Sequence, residues 1–214
     1  YRGYDSSGIA IIHNDKLKHF KKAGKVKDLE KLIEHSSLNG TCGIAHTRWA
    51  THGEPNDVNS HPHLNETGTI ALVHNGIIEN YNTLKEILIN KGVVFKSETD
   101  TEVLVHLIST IYYQDKILSF EDAVRAALQE VVGAYGIVVM CTDEPDTLIA
   151  ARMGSPLVLG VGENEYFLAS DASPIVGYTR NVIYFEDGEM VKLTKSSHEI
   201  SNILSKEVLT KTLS

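Results

Sequence analysis

Cysteine is scarce in this chain: two residues, Cys42 and Cys141, among 214. Two thiols cannot build the disulfide framework of a small secreted domain, so a reducing cytoplasm is the expected compartment. Long apolar runs are missing too. The run Ile137-Val138-Val139-Met140-Cys141 falls far short of the roughly 20 residues a membrane-spanning helix needs, and no membrane association is expected. The opening residues carry no secretory pattern. Positive charge is outweighed, with 20 Lys+Arg against 28 Asp+Glu and a formal net charge of −8. The basic footprint of a nucleic-acid binder is therefore absent, and no nucleic-acid partner is expected. The first residue is Tyr1 rather than Met, which suggests a chain that starts inside a longer protein. What is present is a mixed composition, 42% hydrophobic and 22% charged, long enough to bury the core of one fairly large domain or two small ones.

Residues 8–13 are apolar and rich in β-branched side chains, which predicts a strand. Val26, Leu29, Leu32 and Ile33 recur at helical spacing and predict a helix over 26–36. Residues 42–47 read as a short strand feeding a dense polar loop, 48–63, and residues 69–74 as a third strand ending at Asn75-Gly76. A helix over 81–91 places Leu84, Ile87 and Leu88 on one face and stops at Gly92. Thr99, with Glu102 three residues on, fits a capping box for a helix over 100–112 that buries Val103, Leu104, Leu107 and Ile108. Ser119 caps a further helix over 120–132, with Asp122 in its first turn. From Ala134 onward short strands follow at 134–141, 147–152, 157–161, 166–169, 181–185 and 190–193. Their connections are too short for parallel crossovers, so the pairing is antiparallel. The last twenty residues are weakly patterned and read as an extension or linker. Helices and strands in separate blocks make an α+β layered domain.

Polar, chemically capable residues gather in four places: 1–8, 46–53, 74–76 and 98–102. In the second, a strand delivers Arg48, the single Trp49, Thr51 and His52 into one loop. Arg offers a planar fork for a carboxylate, and the alternative is a solvated surface arginine beside an anchoring Trp. Asn75-Gly76 suits a type I′ hairpin turn, yet an Asn amide and a Gly N–H also suit an oxyanion site. Asp100, in the first turn of a helix, either complements the helix dipole or grips an ammonium group. Five histidines fall at 46, 52, 61, 63 and 74, but their spacing matches no zinc pattern, and the proline in His61-Pro62-His63 should place the two rings on opposite sides. No metal or cofactor is expected. Cys42 and Cys141 lie at strand ends and read as small buried hydrophobes.

The strings YRGYDSSG, HTRWATHG, HNGIIEN and SETDTE, in this order, closely resemble the N-terminal glutaminase domains of the glutamine–fructose-6-phosphate aminotransferase (glucosamine-6-phosphate synthase) family, among the class II glutamine amidotransferases. GAYGIVVM, LIAARMGSPLVLG and FLASD are similar to that family as well, and the likeness runs from Tyr1 to about Leu193. It implies an N-terminal-nucleophile hydrolase fold, a four-layer αββα sandwich with two antiparallel sheets. It implies hydrolysis of L-glutamine to glutamate and ammonia, and passage of the ammonia to a C-terminal sugar-isomerising domain that makes glucosamine 6-phosphate. Carried over position by position, Arg48 meets the glutamine α-carboxylate and Asp100 its ammonium. Trp49, Thr51 and His52 belong to a loop that closes over glutamine. Asn75 and Gly76 form the oxyanion hole, and Arg2 and Gly3 line the surroundings of the nucleophile.

The resemblance also implies a nucleophilic Cys at the mature N-terminus, whose own α-amine is the base, on a first strand followed by a helix upstream of YRGYDSSG. Nothing precedes Tyr1 here, so the expectation is a glutaminase domain over 1–194 that lacks its first strand and helix and is inactive alone. Residues 195–214 are expected to lead toward an absent isomerase domain. The isolated piece is expected to be a monomer and the full-length protein a dimer. A non-catalytic glutamine-binding module that keeps Arg48 and Asp100 is the alternative, and a histidine-based metal hydrolase is a third reading.

Overall fold

Two uninterrupted apolar stretches, 70–73 and 137–141, organise the molecule, because each belongs to a strand buried on both faces. The computed structural model describes residues 4–49, 53–114 and 117–213. In chain order its elements begin with β1 (Ser6–His13), β2 (Lys16–Ala23), α1 (Val26–Ile33), β3 (Cys42–Arg48), β4 (His63–Leu64) and β5 (Ile70–Ile78). Three helices follow, α2 (Tyr81–Asn90), α3 (Asp100–Gln114) and α4 (Phe120–Gln129), then β6 (Gly133–Cys141), β7 (Leu148–Met153), β8 (Val158–Val161) and β9 (Tyr166–Ala169). The chain continues through β10 (Val182–Tyr184), β11 (Glu189–Leu193), β12 (His198–Asn202) and β13 (Val208–Leu209).

Strands β5 and β6 pair antiparallel over nine residues, from Ile70 opposite Cys141 to Ile78 opposite Gly133. Side chains alternate across a strand, so Ile70, Leu72, Ile137 and Val139 point to one face and Ala71, Val73 and Met140 to the other. The first face is covered by α2, α3 and α4, whose Leu88, Leu104, Ile108, Phe120 and Val124 complete the main core. Helix α3 lies inside this layer and is buried throughout 100–108, where Asp100, Thr101, Glu102 and His106 are each hydrogen-bonded.

The sheet has seven strands in the order β13-β12-β11-β7-β6-β5-β4. Its other face packs on two three-stranded sheets. Ala10, Ile12 and Ile44 of the sheet β2-β1-β3 meet Ala71, Val73 and Met140. Leu159 and Ile183 of the sheet β10-β8-β9 meet Ala150, Val191 and Ile200. Helix α1 lies outside the first small sheet, and Ile175 in the segment after β9 packs outside the second. The layers therefore run helix, sheet, sheet, helix, and every ladder is antiparallel. The second sheet layer is divided in two, where a single sheet was expected.

The tail also departs from expectation. Residues 195–214, read as an extension, supply β12 and β13 to the large sheet and bury Ile200 and Ile203. Among the described residues, no helix is long and apolar enough to cross a membrane.

Candidate active site

The two small sheets leave a cavity of about 870 Å³ between them, floored by the large sheet. Strand β3 pairs only with β1, and β9 only with β8, among the described residues. Their free edges face into this cavity through Ala45, His46 and Thr47 on one side and Leu168 and Ala169 on the other. Five residues expected at a glutamine site line it: Arg48, Trp49, Asn75, Gly76 and Asp100. Arg2, Gly3, Thr51 and His52 lie outside the described residues.

Arg48 ends β3 and is 4% exposed. Its Nη2 donates to the Gly53 carbonyl at 3.2 Å and its Nη1 to that of Glu54 at 3.5 Å, with Asp5 Oδ1 3.9 Å from Nη1. Burial lowers the guanidinium pKa from its ordinary value, and the Asp5 and Asp100 carboxylates oppose that shift. The loop carbonyls thus hold the fork in place at the rim. Trp49 follows it and is 61% exposed, an apolar wall at the mouth.

Asp100 opens α3 and is equally buried, at 4% exposed. Its Oδ2 accepts from the Ile78 N–H at 2.8 Å, which ties the start of the helix to the end of β5. A buried cation and a buried anion therefore face one cavity. The capping box forms by half. Thr99 Oγ1 accepts from the Glu102 N–H at 3.3 Å, but the Glu102 carboxylate turns to the N–H groups of Lys96 and Ser97 at 2.8 and 2.6 Å. Burial alone would raise that carboxyl, yet bonds from His106, Ser97 and those N–H groups bring it down to about 2.

Asn75 and Gly76 do not make a hairpin turn. They stand inside β5, opposite Gly136 and Tyr135, because the strand continues to Ile78. Gly76 has φ +130°, and a Cβ there would overlap the Ala134 carbonyl. Only glycine fits this crowded position. The histidines also differ from expectation. The His61–Pro62 peptide is cis, and the His61 and His63 rings meet edge to face at 5.0 Å instead of pointing apart. His61 and His74 line the inner wall. Burial lowers the pKa of His46 to about 4 and of His63 to about 3, and pushes His61 well below the ordinary histidine value. Among the described residues no three His, Cys, Asp or Glu side chains converge as a metal site.

Neither cysteine reaches the cavity. Cys42 sits at the opposite end of β3 from Arg48, roughly 20 Å away at about 3.3 Å per residue. Cys141 is buried at the far end of the β5–β6 ladder. Burial raises both thiols to about 11. Sequence reasoning missed Ser155 and Asp171, which line the wall contributed by the second small sheet. Their signal was present only as the strings GSP and ASD, without a chemical pattern to single them out.

An antiparallel αββα frame and a cavity with opposed buried charges define a class. The chain belongs to the glutamine amidotransferase domain family, whose sequence profile matches residues 46–177. The chain is 55% identical over 206 residues to the glutamine–fructose-6-phosphate aminotransferase (isomerizing) of Chlorobaculum tepidum, covering 95% of this chain and 33% of that protein. It is 52% identical to the enzyme of the same name from Bacteroides thetaiotaomicron, covering 95% of this chain and 34% of that one. The chain thus spans about a third of the length of these curated relatives. Among solved structures, the glutamine phosphoribosylpyrophosphate amidotransferase of B. subtilis superposes with a TM-score of 0.79 at 28% identity, over 96% of this chain and 44% of that one. A glutamine aminotransferase class-II domain protein from Silicibacter pomeroyi, at 15% identity and a TM-score of 0.63 over 93% of this chain and 91% of that one, is alike in fold alone. The fold is that of the N-terminal-nucleophile hydrolase-type amidotransferases.

Proposed function

We propose that this chain forms the glutamine site of an enzyme that releases ammonia from L-glutamine and delivers it to fructose 6-phosphate on a separate isomerase domain of the full-length protein. The observation that carries this reading is the pairing of buried Arg48 and buried Asp100 on one cavity that also holds Asn75 and Gly76. A free amino acid presents one carboxylate and one ammonium, and Arg48 and Asp100 supply the matching fixed charges. The side-chain amide then reaches toward β5, where the Asn75 amide and the Gly76 N–H stabilise the oxygen as it becomes negative. Trp49 stands at the mouth as an apolar wall over the bound substrate.

The nucleophile comes from outside these 214 residues, since Cys42 and Cys141 are remote from the cavity and held as thiols. An N-terminal Cys with a free α-amine fits the need. Its thiol attacks the amide carbon while the amine takes the thiol proton. The amine then hands that proton to the leaving nitrogen, so the C–N bond breaks and ammonia departs as the thioester forms. Water then cleaves the thioester to glutamate and restores the thiol. The strand that carries this Cys fits between the free edges of β3 and β9 and joins the two small sheets. The protein works in the cytoplasm without a cofactor, and dimerisation belongs to the isomerase domain.

Incubating the full-length protein with L-glutamine should release glutamate and ammonia in equal amounts. Asn75→Ala should lower kcat about 10²- to 10³-fold. Glutamine binding with no release in the wild type would instead identify a glutamine-binding module.

A further inference from the structure

Asn75 is held from behind by a histidine that the reaction above does not use. His46, on β3, places Nε2 2.8 Å from Asn75 Oδ1. An amide oxygen can only accept, so His46 Nε2 carries the ring proton and donates it. Nδ1 of that ring is buried without a hydrogen-bond partner, which suits the unprotonated nitrogen. The ring is neutral at physiological pH because burial brings its pKa to about 4. Asn75 Oδ1 is thereby engaged on the protein side. No hydrogen bond engages Asn75 Nδ2 among the described residues, and Asn75 lines the cavity.

The His46 ring is itself fixed. His61 stacks on it with centroids 4.3 Å apart and planes at 18°. His61 Nδ1 accepts from the His74 N–H at 3.3 Å, so the His61 proton is on Nε2, 3.4 Å from Thr101 Oγ1. Thr101 then donates its hydroxyl proton to His74 Nδ1 at 3.0 Å, and His74 Nε2 donates to the Ala134 carbonyl at 3.3 Å. A single proton assignment satisfies all of these bonds with every ring neutral. The chain ends on β6, the strand paired with the one that carries Asn75.

The geometry points to His46 as a positioning residue that turns the Asn75 amide so that its NH2 group, rather than its oxygen, faces the developing oxyanion. This rests on Asn75 being an oxyanion donor. An amide turned the other way would present a lone pair to a negative oxygen, and the donor would be lost without losing the residue. Outer partners that fix the orientation of a reacting group in this way act on the transition state more than on substrate binding.

The test is steady-state glutamine hydrolysis by the full-length protein carrying Asn75→Ala, His46→Phe, His46→Gln, or Asn75→Ala with His46→Phe. His46→Phe keeps the stack and removes the donor, and should lower kcat about 10- to 100-fold with KM for glutamine nearly unchanged. His46→Gln reaches the same point with an N–H and should recover most of that loss. The double variant should be no slower than Asn75→Ala, because both changes remove one donor. Wild-type kcat in His46→Phe beside an impaired Asn75→Ala overturns the role of His46 alone. Wild-type kcat in Asn75→Ala overturns the reading of Asn75 on which it rests. Equal losses in the Phe and Gln variants with raised KM mark a merely structural histidine and also overturn the proposal. If His46→Phe fails to fold by circular dichroism, His46→Asn, too short to reach Oδ1, replaces it under the same outcomes.

Discussion

Gly76 shows how one residue ties local conformation to chemistry. Its φ of +130° and its contact with the Ala134 carbonyl leave no room for a side chain, so the backbone N–H can lie against a substrate. Gly76→Ala should destabilise the protein by at least about 2 kcal/mol, from backbone strain plus overpacking. Urea unfolding would show a lower midpoint at unchanged slope, and an unchanged midpoint would refute the crowding. Arg48, Asp100 and Asn75 were legible in the sequence only through the strings that carry them. Taken singly, each had a bland reading as solvated arginine, dipole complement or turn. The turn reading failed because Asn-Gly statistics describe a two-residue loop, whereas this pair lies within a nine-residue ladder with β6. Nothing local to His46 points to Asn75, since that partner is 29 residues away in sequence.

Elements with a clear hydrophobic period are legible in the sequence, and β2, β4 and β12 are not, because each is short or carries mostly polar side chains. Strand β2 reads KLKHFKKA, a run without an alternating apolar face. Among the described residues it is an edge strand pairing only with β1, and its lysines keep that edge from pairing further. Strand β12, HEISN, offers one large apolar residue in five, yet Ile200 sits in the core and Arg125 of α4 donates to Ser201 Oγ at 2.9 Å and to the Asn202 carbonyl at 2.7 Å. Residues 195–213 are thus part of the folded unit. Ending the domain at Thr194 strips Ile200 and Ile203 from the core, worth roughly 3–6 kcal/mol for two isoleucines. A domain cut there should have a clearly lower thermal midpoint than one ending at Ser214, and equal midpoints would make the tail dispensable.

The layers of the molecule bury His61, His63 and His74 and half-bury His46 against them, beside a low-lying Glu102 carboxylate. In the folded state the histidine pKa values lie below 6.5, so the unfolded chain takes up protons first as pH falls. Their contribution is full above about pH 6.5 and is lost progressively toward pH 4 and 3. Glu102, lowered from 4.5 to about 2, adds a loss below about pH 4.5 that amounts to roughly 3 kcal/mol when complete. The urea midpoint should be level near neutrality and fall steadily from pH 6.5 to 4, whereas a level midpoint down to pH 5 would show that the histidines are not buried neutral. The same packing sets Arg48 and Asp100, from different layers, on one cavity, and that pairing is the centre of the functional account. The most direct measurement is the KM for L-glutamine of the full-length protein carrying Arg48→Met or Asp100→Asn. Each change should raise KM about 30-fold or more, as expected when one member of a desolvated charge contact is lost. Wild-type KM values in both variants would contradict the assignment of this cavity to glutamine.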